Sequence, residues 1–116
     1  MSEPPFPPHD VRAVDLPALV AARSFATWRD ANGSRDALGA DEAVRRARAQ
    51  PPVLCHGPAT ARRLGSDHID GYDVLELFAF VRPAEFTLPT IQGLARTLGI
   101  TEPEDADALI AVADRL

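Results

Sequence analysis

The chain contains no lysine: all twelve of its basic residues are arginine. A phosphate-binding loop of the GxxxxGK[ST] type needs its lysine on the phosphates, and a Schiff-base mechanism needs a lysine amine. Neither chemistry can belong to this chain. Cysteine is almost as scarce. Cys55 stands alone, so no internal disulfide can form, a usage that fits a reducing cytoplasm. Long apolar runs are missing as well, all falling short of the roughly 18 residues that a membrane span needs. The N-terminus lacks the basic-then-apolar order of a secretory signal. These absences together place the chain in the cytoplasm with no membrane partner, as an expectation.

What is present is ordinary for a globular protein. The 116 residues are 46% hydrophobic and 25% charged, enough for one domain that buries about two-thirds of its unfolded surface. The net charge of −5 argues against strong electrostatic binding of nucleic acid by the chain as a whole. Residues 1–15 are expected to form a disordered leader with polyproline II character, since four of the first ten are proline. Residues 16–116 are read as a single domain. The expected fold class is α/β: a small mixed sheet, made of an N-terminal hairpin plus a short central strand, packed by four to five helices. The C-terminal half is expected to be all helical.

Taken in order, Leu16 to Ala22 is short and apolar, either one helical turn or the lead-in to a strand. Ser24 to Asp30 alternates like a strand, and Ala31-Asn32-Gly33 supplies a turn in which Asn and Gly tolerate positive φ. Ser34 to Leu38 then returns as the second strand of a hairpin. Trp28 could stack on a base, but a lone tryptophan in a strand is read as core. Ala40 to Gln50 reads as a helix with acids in its first turn and Arg45, Arg46 and Arg48 near its end, an order that complements the helix dipole. Pro51-Pro52 ends it. Val53-Leu54-Cys55 is a short buried strand, and Gly57-Pro58 opens a helix that Gly65 closes. Cys55 and His56 invite a nucleophile–base reading. Neighbours on a strand point to opposite faces, so a buried, inert cysteine is expected. Asp67, His68 and Asp70 are too crowded in sequence for a zinc site and read as a surface loop.

The stretch from Asp73 to Ile100 is the most hydrophobic part of the molecule, and it reads as two helices hinged at a proline. Asp73 is a plausible N-cap with Glu76 as its capping-box partner. Val74, Leu75, Phe78 and Val81 share one helical face, and Arg82-Pro83 ends the helix. Thr87 is expected to cap the next helix, with Pro89 in its first turn and Gly99 as its left-handed stop. Thr101 and Glu104 form a further capping box, opening a helix with Leu109, Ile110, Val112 and Ala113 turned inward. No stop signal precedes Leu116, so the chain is expected to continue beyond it.

Asp73-x-x-x-Leu77, Pro83, Leu88, Leu94-Ala95 and Leu98-Gly99-Ile100, following a strand and a helix, resemble the second half of the DnaQ-like 3′–5′ exonuclease fold, which is ribonuclease H-like. That family carries a His-Asn pair and then Phe-Asp at its second motif. Here His56-Gly57-Pro58-Ala59-Thr60-Ala61 takes the place with the asparagine, phenylalanine and acid absent. Asp107-Ala108 takes the place of the third motif without its histidine, and no Asp-x-Glu lies on the first strand. Two-metal phosphodiester hydrolysis needs several convergent carboxylates. The resemblance therefore implies a degenerate fold in which this fragment has no catalytic or metal-binding residues of its own.

A narrower resemblance runs from about Ala18. Leu75-Glu76-Leu77-Phe78-Ala79-Phe80-Val81-Arg82-Pro83-Ala84, with Phe86, Leu88-Pro89-Thr90, Gly93-Leu94-Ala95 and Leu98-Gly99, is similar to the amino-terminal region of alphaproteobacterial DinG-like ATP-dependent DNA helicases. It implies a non-catalytic accessory domain that positions single-stranded DNA or docks on the helicase motor domain in cis. ATP and magnesium would belong to the parent protein, acting on single-stranded or forked DNA, with its motor motifs beyond Leu116. Arg62 and Arg63 are the candidates for DNA contact, set against a reading as solvated surface arginines. The alternative is a self-contained protein–protein interaction module that uses the apolar surface of Asp73 to Ile100. An active metal-dependent exonuclease ranks last.

Overall fold

The computed structural model describes residues 15–82, 84–85, 87–102 and 104–116, so residues 1–14 of the expected leader lie outside the described residues, as do Pro83 and Phe86. The sheet is built around β1 (Ala18–Ala22), within the segment whose sequence fits a helical turn or a strand equally well. Its residues are short and apolar because both faces of this strand are covered. Ala18 and Leu19, neighbours on opposite sides, are both almost wholly buried.

β1 pairs antiparallel with β2 (Phe25–Arg29), which pairs antiparallel with β3 (Arg35–Gly39). The second of these hairpins is the expected one. Gly33 sits at φ 91° in its turn, and the Asn32 side chain accepts the Ser34 N–H at 2.9 Å. On its other side β1 runs parallel to β4 (Val53–Leu54), and β4 runs parallel to β5 (Tyr72–Asp73). The five strands stand in the order β3-β2-β1-β4-β5. The mixed α/β class is as expected. β5 is an addition, since its two residues close a polar segment that carries no strand signal.

Helices cover both faces. α1 (Ala40–Ala49) and α2 (Gly57–Arg63) bury one face, where Leu19, Ala26, Trp28 and Leu54 meet Ala43, Ala47 and Ala61. α3 (Val74–Val81), α4 (Ile91–Thr97) and α5 (Asp105–Arg115) bury the other, where Ala18 and Val53 meet Phe78, Leu94, Leu109 and Val112. Trp28 is core, as expected. Its ring is fully buried, its Nε1–H donates to Asp30 Oδ1 at 2.9 Å, and the Arg46 guanidinium lies 5.6 Å from the ring centroid. The acids of α1 engage its own arginines: Glu42 pairs with Arg45 and with Arg46, and the contact with Arg45 lowers the Glu42 pKa.

Two helix starts differ from the sequence reading. Thr90, not Thr87, caps α4: its Oγ1 accepts the Gly93 N–H at 3.0 Å, while the Thr87 hydroxyl lies 3.3 Å from the Leu88 carbonyl. Pro89 therefore precedes the cap instead of occupying the first turn. The Thr101–Glu104 capping box does not form either. Glu104 is itself the N-cap of α5 and makes no side-chain cap bond. Acids at Asp105 and Asp107 suit the positive end of the dipole in its place. α4 stops as expected at Gly99, whose φ is 71°, with Ile100 N–H reaching back to the Ala95 carbonyl at 2.8 Å.

Candidate functional site

β1 and β4 are parallel neighbours, yet the sheet grows in opposite directions from them, through β2 on one side and β5 on the other. A crevice opens at the carboxyl ends of strands where the order reverses in this way, and ligands of open α/β sheets bind there. The structure has a cleft of about 280 Å³ at this point. Val20 and Ala21 supply the end of β1, and Cys55 and His56 follow β4. Thr60 and Arg63 come from α2, Thr90 to Gln92 from the start of α4, and Asp105 and Leu109 from α5.

Asp73 sets the geometry of one wall. This carboxylate is only 7% exposed and accepts three backbone N–H groups: His56 at 2.9 Å, Gly57 at 2.7 Å and Leu75 at 2.9 Å. It therefore caps α3, as expected, and also clamps the chain entering α2. The clamp holds His56 at φ 62°, ψ 77°, a left-handed conformation that costs a side-chain-bearing residue about 1–2 kcal/mol. His56 Nδ1 in turn accepts the Ala59 N–H at 3.1 Å and caps α2.

The sequence reading separated Cys55 from His56 by placing both on a strand. The strand ends at Leu54, and both residues line the cleft. The pair is unsuited to nucleophilic catalysis for other reasons. Burial, reinforced by the nearby Asp73 charge, pushes the Cys55 thiol up to about 12, so the thiolate that would attack is scarce at neutral pH. The Nδ1 lone pair of His56 is engaged in its helix cap.

Charge in the cleft is sparse. Among the described lining residues Asp105 is the one carboxylate, and both its oxygens accept from Gln92 Nε2, at 3.1 and 3.0 Å. Asp107, placed by the resemblance at the third motif, does not line the cleft. It is held outside by Arg29 at 2.7 Å and Arg35 at 3.4 Å. The part of β1 that lines the cleft, Leu19 to Ala21, carries no acid. A lone, amide-bonded carboxylate does not fit a pair of cations, and it supports no step of a two-metal reaction.

Both sequence-predicted arginines are exposed. Arg63 stands on the rim of the cleft, whereas Arg62 does not line it. The loop residues Asp67 and His68 border a separate groove with Asp73 and Glu76, and His68 Nε2 lies 3.1 Å from Asp70 Oδ1 on the surface. Sequence reasoning missed Gln92, Asp105 and Thr90 as cleft residues, because their convergence depends on α5 packing against β1 and α4 packing against α5. No helix among the described residues is long and apolar enough to cross a membrane. Compared with known proteins, the chain matches no family model, no curated protein and no solved structure.

Proposed function

We propose that this chain is a non-catalytic, exonuclease-like accessory domain of an ATP-dependent DNA helicase, and that its cleft holds single-stranded DNA without hydrolysing it. The observation that carries the reading is the cleft itself. It lies at the switch point of the sheet, and its polar groups are those that bind rather than cleave. The Arg63 guanidinium suits a phosphate, and Gln92, Thr90 and His56 offer hydrogen bonds. Val20, Ile91 and Leu109 provide an apolar floor for a base. A three-strand meander extended by two parallel strands, with helices on both faces, fits the ribonuclease H-like resemblance.

The test is fluorescence anisotropy of a labelled oligodeoxythymidine of about twelve nucleotides, titrated with the full chain in magnesium at about 50 and 200 mM salt. Binding that weakens with salt, with the oligonucleotide recovered intact, supports the reading. No binding at either salt, or cleavage abolished by a chelator, overturns it. The helicase parent is tested separately by the reading frame after Leu116, which must encode a phosphate-binding loop with its lysine.

One observation favours the second reading, a protein–protein interaction module. Phe80 and Val81 at the end of α3 and Leu88 beyond it are 65%, 44% and 52% exposed. Apolar exposure of this kind marks interaction surfaces when it is contiguous. Concentration-dependent self-association abolished by Phe80→Ser, in a chain that binds no oligonucleotide, would establish this alternative.

A further inference from the structure

The arginines among the described residues divide into two groups. Arg29, Arg35, Arg45, Arg46 and Arg82 pair with carboxylates, and Arg115 donates to the Leu98 carbonyl at 2.9 Å. Arg23, Arg48, Arg62, Arg63 and Arg96 have no ion pair among the described residues. Four of these five converge on the C-terminal turn of α2. Arg62 and Arg63 belong to it. The Arg63 carbonyl accepts the Ser24 N–H at 3.1 Å, which seats the β1–β2 turn and its Arg23 against the same turn. On the far side Leu64, Gly65 and Ser66 face α1 across a groove of about 340 Å³ bordered by Arg45 and Arg48, with Asp41 its one carboxylate among the described residues.

Helix dipoles account for Arg62 and Arg63 at the end of α2 and for Arg48 at the end of α1. They do not account for two helix ends and a strand turn bringing unneutralised cations together on a chain of net charge −5. We propose that this band, running from Arg63 at the cleft rim through Arg62 and Arg23 to Arg48, carries the phosphate backbone of a single nucleic-acid strand whose end lies in the cleft. The inference rests on the strand-holding reading of the cleft, and it adds the direction in which the strand leaves and the residues that track it. Nucleic acid is favoured over an acidic peptide or an anionic lipid surface because the band leads into a concave site instead of spreading over a flat face. Backbone-tracking arginines beside a pocket are a usual way to hold a single strand.

The test uses the full chain and labelled oligodeoxythymidines of about four and about twelve nucleotides, the first long enough for the cleft alone. The longer strand is expected to bind more tightly, with a salt slope that falls by about 0.7 for each phosphate contact removed. Arg23→Gln and Arg48→Gln should each lower that slope and leave binding of the short strand unchanged. Arg23→Lys and Arg48→Lys should restore it, and Arg96→Gln on α4 should have no effect. Equal binding of both lengths overturns the band and leaves the cleft reading intact. Tight binding of the long strand that is insensitive to Arg23 and Arg48 also overturns it. Arginine-sensitive binding of the long strand, with none of the short one, overturns the cleft reading and with it the placement of the strand's end there. Competition by polyglutamate or phosphatidylserine vesicles as effective as by the oligonucleotide overturns the choice of partner, and no binding of either length overturns both readings.

Discussion

Replacing Asp73 by alanine should destabilise the domain more than any exposed polar substitution. The side chain is 7% exposed and accepts three backbone N–H groups, at 2.9, 2.7 and 2.9 Å. Losing the cap on Leu75 alone costs about 1 kcal/mol. The His56 and Gly57 bonds go to a charged acceptor, where each is worth about 1.5–3 kcal/mol, less whatever water recovers at the vacated site. Those terms total about 4–7 kcal/mol, which recovery by water reduces to about 3–5 kcal/mol, a large part of the roughly 5–15 kcal/mol that holds a domain of this size. Asp73→Asn should cost less, about 1–3 kcal/mol. Its remaining carbonyl oxygen can replace Oδ1, which serves both His56 and Leu75, while its NH2 opposes the Gly57 donor. Urea unfolding followed by tryptophan fluorescence gives both values from the midpoints, provided the slope is unchanged. An alanine variant within about 0.5 kcal/mol of the native chain, the usual range of surface substitutions, would refute the clamp. So would an asparagine variant as unstable as alanine.

Cys55 should alkylate with iodoacetamide at pH 8 at least about tenfold more slowly than a cysteine in an unfolded peptide, because burial pushes its pKa from an ordinary 9.0 up to about 12 and the greater nucleophilicity of the rarer thiolate offsets only part of that loss. A rate equal to the peptide's contradicts the buried thiol. The same shift has a fixed sign in stability. Folding favours the protonated thiol, so its contribution is intact below about pH 9 and is lost as the pH rises towards 12. A Cys55→Ala variant should then lose less stability across that alkaline window. Gly93→Ala should destabilise α4 by about 1–3 kcal/mol, although alanine is the better helix former by about 1 kcal/mol. A Cβ there would come within 2.7 Å of Leu88 Cβ and 2.8 Å of the Leu88 carbonyl oxygen. A higher urea midpoint for this variant would show that the Leu88 segment yields freely.

The local grammar of the chain was legible where a single residue type enforces a conformation. Gly33, Gly65 and Gly99 all sit at positive φ as the turn and stop signals require, and Asp73 caps α3 by its own side chain. Legibility failed where two residues offer the same chemistry. Thr87 and Thr90 can both cap a helix, and only the packing of α4 selects Thr90. It failed again at β1, where Ala18 to Ala22 shows no alternation because neither face meets solvent freely. The two residues of β5 are strand only because β4 lies beside them. The cleft was least legible of all. Arg63 could be named from its helix, but Gln92 and Asp105 reach the site through contacts between segments far apart in the chain. The same packing turns Asp107 away to Arg29, so the aspartate that the resemblance singles out lies outside the cleft.

The most direct measurement of the central claim is a ¹H–¹⁵N correlation titration of the chain with an oligodeoxythymidine of about four nucleotides at low salt. The account predicts dose-dependent shifts at Val20, Ala21, His56, Thr60, Thr90, Gln92 and Asp105, with the oligonucleotide intact afterwards. Shifts confined to Phe80, Val81 and Leu88, or no shifts at all, would contradict it.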